Sequence, residues 1–520
     1  MGWHHIKILK TLSNISNKRI IKNTAYLYIR MVVVMVMNLY TSRLVLDALG
    51  VDDYGLYTVV GGIVLLFAII NNALGSGTSR YITFELGRGD FNRLRNTFSA
   101  SFQIHLCVAL LVFLLAETLG LWYVNTILVV SPDRIVAANW VYQFSIVTCL
   151  ISLTQVPYSA CIIAHEDMSV YAWVGIAEAS FKLLMALYVL YCASSDKLIL
   201  YGLIMMCWNI CIQGYYRYYC GKHYKESLLM RVRDKDIFKS MISFSFWDVM
   251  GAFTVSGYSQ GVNMLINFFF SLSVNAAKGI SYQVQHVIEM FCNNFMTAVK
   301  PQIVKLFAEG DVAKMKKLIC ESSKISFFLL LMVVLPLCLE ADFVLNLWLK
   351  VVPEKTSLFL VLILIFSLMR AFARPIVEGV HASGNIKQLN LYSGGTSIAL
   401  NLPLTYAAYL MGAPAEATFY ILLISTVICN YIELYCLKKE IGFDILHYTI
   451  FVYLRCVLIV IPAILAGIAV TLYFQPSFLR LVATTVVTIS LICLFAFVFG
   501  LSQGTKNEIT AIIKSKLVIK

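Results

Sequence analysis

The chain has 520 residues, of which 60% are hydrophobic and only 13% charged, and its mean hydropathy is +0.79. No water-soluble globular fold can hide that much apolar surface, so lipid must be the solvent for most of the chain. The net charge of +13 would suit a nucleic-acid partner, but no segment outside the apolar runs is long enough to build a binding face.

Residues 1–23 form a polar tail with Lys and Arg scattered through it. The tail has no apolar core and no small-residue cleavage site, so the first span is expected to be its own insertion signal. A hydrocarbon core of roughly 30 Å takes about 20 apolar residues as a helix, and the chain offers fourteen runs of that kind. Six fall in 24–219: residues 24–46, 54–74, 97–119, 135–160, 169–191 and 198–219. After a basic linker at 220–240, six more fall in 241–436: residues 241–269, 275–299, 321–345, 357–380, 389–410 and 417–436. Two further spans, 449–473 and 479–500, precede a tail at 501–520.

Loop charge sets the orientation. With the N-terminus inside, 29 of the 41 Lys and Arg fall in cytoplasmic segments and 5 in outer loops, which is the positive-inside bias. Both termini are therefore expected on the cytoplasmic side. The 14 cysteines sit mostly singly in apolar runs, as small hydrophobes do. Their spacing suggests neither a disulfide framework nor a metal site.

An internal repeat is visible at an offset of 221. Ile82, Gly89-Asp90 and Arg93-Leu94-Arg95 in the loop after the second span match Ile303, Gly310-Asp311 and Lys314-Met315-Lys316 after the eighth. In both places Asp follows Gly and opens a basic amphipathic stretch, the pattern of a helix N-cap. Two repeats of six spans keep one orientation and imply a pseudo-twofold axis along the membrane normal, as in transporters that rock two bundles.

Charges inside the spans are the candidate functional residues, because a cation or acid in hydrocarbon costs several kcal/mol. Arg30 lies in the middle third of the first span, and Arg43 near its outer end. Glu178 and Lys182 are spaced i, i+4 on the fifth span and can neutralise each other. Asp248 on the seventh span suits an ion-coupling acid or a partner for Arg30 or Lys278. On the eighth, Lys278 opens the helix, while His286 and Glu289 share a face that suits proton or sodium. Arg370, Arg374 and Glu378 make an i, i+4, i+8 row on the tenth span beside Pro375, with excess positive charge. No nucleotide-binding loop occurs, so no cofactor is expected and a proton or sodium gradient is the candidate energy source. Every outer loop is short, which argues against a membrane-embedded polymerase or acyltransferase.

The run Ser42-Arg43-Leu44-Val45-Leu46-Asp47-Ala48-Leu49-Gly50, followed by Tyr54-Gly55-Leu56-Tyr57, resembles the first outer turn of the multidrug/oligosaccharidyl-lipid/polysaccharide (MOP) exporter superfamily. Asn72 to Tyr81, with Gly89-Asp90 after it, is similar to that superfamily's first cytoplasmic loop. The twelve-plus-two layout is closest to its polysaccharide-transporter branch. The resemblance implies an all-α, polytopic, MATE-like V-shaped pair of bundles in a bacterial cytoplasmic membrane. It further implies a flippase for undecaprenyl-diphosphate-linked oligosaccharide of the O-antigen or capsule type. The implied partners are that lipid-linked cargo, membrane lipids and polysaccharide-assembly proteins. Arg30, Arg43, Lys278, Arg370 and Arg374 would line its cavity. The alternative within the superfamily is a cation-coupled drug or small-molecule exporter.

Overall fold

The computed structural model describes residues 22–38, 40–41, 44–45, 47–50, 53, 56–57, 68–126, 132–191, 196–232, 234–270, 272–349, 352–500 and 506. Arg43 and most of the turn that follows it, including Tyr54 and Gly55, lie outside these residues. All regular structure among them is helical. We number the long helices α1 (22–38), α2 (Ala68–Arg88), α3 (Phe91–Thr126), α4 (Ile135–Ala164), α5 (Met168–Tyr191), α6 (Lys197–His223) and α7 (Lys235–Phe269). There follow α8 (Leu272–Ala308), α9 (Val312–Leu339), α10 (Thr356–Ser383), α11 (386–410), α12 (Ala417–Ile441), α13 (Ile445–Tyr473) and α14 (Phe478–Gly500).

Among the described residues, nine helices are long and apolar enough to cross a bilayer: α3, the helix containing α4, and α5, α6, α9, α10, α12, α13 and α14. The outer faces of α13 and α14 expose Leu458, Leu465, Val486 and Leu494, as a lipid-facing surface should. Helices α7 and α8, with 35 and 37 residues, are about 52 and 55 Å long at 1.5 Å per residue. They outrun a hydrocarbon core of roughly 30 Å.

That length corrects the expected loops. Residues 75–96 and 300–324 are mostly helix, joined through turns at Gly89-Asp90 and Glu309-Gly310-Asp311. Gly89 and Gly310 adopt φ of +75° and +77°, a left-handed conformation that side-chain-bearing residues resist. Asp90 then caps α3 by accepting from the Arg93 amide at 3.0 Å, and Asp311 caps α9 by accepting from the Lys314 amide at 3.1 Å. The aspartate caps expected from the repeat are therefore present, in the same geometry, in both copies.

The chain divides into two compact units, Asn23–Val249 and one that begins at Met250, with the division falling inside α7. In the first unit, Arg134 at the start of α4 donates to Asp53 and to Asp196, and Asp196 caps α6. Phe98 and Tyr158 pack edge to face in its core. In the second unit α10 is central, against α8, α9 and α12. Pro375 sits inside α10 and removes a backbone donor. Nearby, the Phe372 carbonyl accepts from the Ser323 hydroxyl of α9 at 3.1 Å and the Tyr448 hydroxyl of α13 at 3.0 Å. The last helix is fastened by Arg480, which donates to the fully buried Glu340 carboxylate at 2.6 and 3.1 Å, while Thr484 donates to its other oxygen at 3.0 Å.

Candidate functional site

In the first unit Arg30 is half-buried on α1. Its guanidinium lies over the Tyr171 ring of α5, 4.4 Å from the centroid, a cation–π contact. It makes no ion pair among the described residues, and its buried Nε has no hydrogen-bond partner. Space for it is made by Gly175, where a Cβ would come within 2.4 Å of Nε. Tyr171 and Gly175 are spaced i, i+4 on α5 and share the face that meets Arg30. One turn beyond Tyr171 and Gly175 the expected pair is present, with Lys182 donating to Glu178 at 2.6 Å. Asp248 is half-buried and makes no ion pair among the described residues, so it is not the partner of Arg30.

In the second unit Lys278 is buried. Its ammonium donates to Asn263 of α7 at 2.5 Å and lies 5.1 Å from the Tyr282 ring centroid. The row on α10 behaves otherwise, because each member is matched from a neighbouring helix, Arg370 by α12 and Arg374 and Glu378 by α8. Arg370 donates to Glu433 at 2.9 Å and to Asn430 at 3.1 Å, both on α12. Arg374 donates to Glu289 of α8 at 3.0 Å and to Asn293. Glu378 pairs with Lys300 of α8 at 3.1 Å. The excess positive charge expected of this row is therefore neutralised.

Glu289 is surrounded by donors rather than by His286. One oxygen accepts from Gln285 at 3.0 Å and from Ser367 at 3.1 Å, and the other takes Arg374. His286 is exposed and makes no polar contact among the described residues, so it is not joined to Glu289. Glu433 is a second acidic centre that sequence reasoning overlooked. It accepts from Ser393 at 2.9 Å as well as from Arg370, and its Oε2 is buried without a partner. Ser393 belongs to a π-helical turn, Asn390–Gly394, in α11, where the widened backbone offers a carbonyl to the Cys429 thiol at 3.4 Å.

No protein-family profile matches the sequence, and no curated protein does. Solved structures do. A point mutant of a MATE protein superposes with a TM-score of 0.71 at 13% identity, over 82% of this chain and 96% of that one. An outward-facing multidrug resistance MATE family transporter of the MOP superfamily gives 0.68 at 13% identity, with the same coverages. The chain has the MATE fold. A MOP superfamily transporter from Pyrococcus furiosus, described as having a binding pocket of reverse polarity that suggests a different function, also gives 0.68 at 13% identity over 82% and 96%.

Within this MATE fold the candidate residues sort by partner. Among the described residues Arg30 and Lys278 each lie beside a tyrosine ring with no acid partner, whereas Arg370 and Arg374 are acid-paired. Glu433 and Asn430 escaped the sequence reading because their partner on α10, Arg370, is 63 and 60 residues distant, and Ser393 because its partner Glu433 is 40 residues distant. One signal was available: Glu433 is an acid inside the apolar run of the twelfth span, ahead of Lys438-Lys439.

Proposed function

We propose that this chain is a flippase of a bacterial cytoplasmic membrane that carries undecaprenyl-diphosphate-linked oligosaccharide repeat units to the outer leaflet. It works by alternating access of two six-helix halves, 24–219 and 241–436, with both termini cytoplasmic, and it supplies a surface polysaccharide pathway. The observation that carries the reading is a cation in each unit, Arg30 and Lys278, held against a tyrosine ring without an acid partner among the described residues. A diphosphate needs uncommitted positive charge, and sugars stack on aromatic rings. A lipid tail can stay outside the bundle. An apolar groove of about 510 Å³ along α13 and α14, lined by Phe451, Leu454, Leu458, Pro462, Phe495 and Phe499 with Arg455 on its wall, is suited to it.

The second reading, a cation-coupled exporter of small molecules, is favoured by Asp248, a half-buried acid with no ion pair among the described residues. Complementation separates the two. The chain, expressed in a strain lacking its own flippase, should restore surface glycan and clear inner-leaflet lipid-linked repeat units. Arg30→Ala at equal membrane levels should not. Drug resistance without glycan rescue in any compatible strain would transfer the assignment to the exporter, with Asp248→Asn as its inactive control.

A further inference from the structure

We propose that Cys161, His165 and Glu226 form a zinc site at the end of α4. Cys161 and His165 are one helical turn apart and share a face of α4. Glu226 comes from the single turn Lys225–Ser227 after α6. The Cys161 thiol lies 3.7 Å from Glu226 Oε1 and His165 Nε2 lies 2.5 Å from the same oxygen. All three donor atoms fall within 4.8 Å of one another.

Zinc bonds of about 2.0–2.3 Å in a tetrahedron set donor atoms roughly 3.3–3.7 Å apart. The Cys161–Glu226 edge already has that length, and the His165–Glu226 edge needs to open by about 1 Å, which a small swing of the imidazole provides. Charge also balances, because a thiolate, a carboxylate and a neutral imidazole cancel Zn²⁺ and leave a buried site neutral. Burial favours such a closed charge set: Cys161 is fully buried and the Glu226 side chain is 6% exposed. His165, 26% exposed, leaves the fourth position to water.

The ring is already oriented. His165 stacks on Tyr224 with centroids 4.2 Å apart, and the Tyr224 hydroxyl donates to Asp167 at 2.8 Å. Such outer contacts fix a metal-binding imidazole. The cysteine spacing concealed this set because Glu226 is 61 residues from His165. Bound zinc would pin the start of the 220–240 linker to α4.

The test uses the full chain, purified metal-free with a tag lacking histidine and titrated with Co²⁺ and then Zn²⁺. A single equivalent of Co²⁺ should give a sulfur-to-cobalt charge-transfer band that Zn²⁺ abolishes. The band should be missing in Cys161→Ser, and His165→Gln should weaken affinity about tenfold or more. Metal held by His4 and His5 in the tail would give no such band. Zinc should also raise the Tm of the unaltered chain but not of His165→Gln, a variant that keeps a hydrogen-bond donor toward Glu226. The proposal is overturned if the unaltered chain shows no band, or if the band persists in Cys161→Ser.

Discussion

Arg30 and Arg370 are the same residue type, each on a helix of the same apolar bundle architecture, yet their surroundings are opposite. Arg370 donates to the carboxylate of Glu433 and the amide of Asn430, so its charge is spent inside the protein. Arg30 rests on Tyr171 with its Nε unpartnered among the described residues, which leaves its charge available to a ligand. A charged residue in a membrane span is thus no indicator of function by itself. What decides is whether another helix brings the opposite charge to it.

Four predictions break or sharpen that contrast, in order of size. Replacing Glu433 by Leu strands the Arg370 guanidinium. Breaking a buried pair in this way costs about 3–5 kcal/mol, toward the low end here because Arg370 is 28% exposed, and thermal unfolding in detergent should show a clearly lower Tm. Arg30→Ala should leave Tm within the change expected for loss of about 1 kcal/mol of cation–π energy, while glycan rescue falls about tenfold or more. A Tm loss matching that of Glu433→Leu would erase the distinction. Gly175→Ala puts a methyl group where Nε now sits and displaces the guanidinium. Crowding of this kind costs about 1 kcal/mol, and its transport defect should follow that of Arg30→Ala; normal transport at normal Tm would show that the present Arg30 position is not the working one.

The smallest effects belong to the repeated turns. Asp90→Ala and Asp311→Ala should each cost about 1 kcal/mol, the usual value of an N-cap, and unequal losses would show that the two copies have diverged in energy despite their shared geometry. The Asp311 carboxyl is held below its ordinary value, first by the hydrogen bond from the Lys314 ammonium. Its contribution is therefore complete above the ordinary carboxylate range and is lost as pH falls through the lowered folded value, so acid unfolding of Asp311→Ala should lack that last increment.

The sequence was most informative where physics is local. Aspartate after glycine was legible as a helix cap, and Glu178 with Lys182 as a pair, because both depend on residues within one turn. The helical class followed from apolar runs alone. The partners of Arg370, Arg374 and Glu378 depend on which helices α10 packs against, and one sequence carries no distance information of that kind. Loop limits at 75–96 and 300–324 failed for a related reason: helices continue past the hydrocarbon edge wherever side chains tolerate water, and hydropathy marks only that edge. Glu289 illustrates both effects, since spacing suggested His286 as its companion while packing delivered Gln285, Ser367 and Arg374.

The clasp between Arg480 and Glu340 also bears on how the chain is made. Glu340 follows α9 and has no exposed side-chain surface, yet the residues that satisfy it, Arg480 and Thr484, are synthesised 140 and 144 positions later. Until α14 emerges from the ribosome, that carboxylate must be hydrated or protonated, so the bundle stays incomplete through most of translation. Quality control therefore has a marker to read. A chain cut before Ser477 leaves Glu340 without Arg480 and Thr484 and should be cleared by membrane proteases, whereas the same cut in a Glu340→Gln background should accumulate to higher levels.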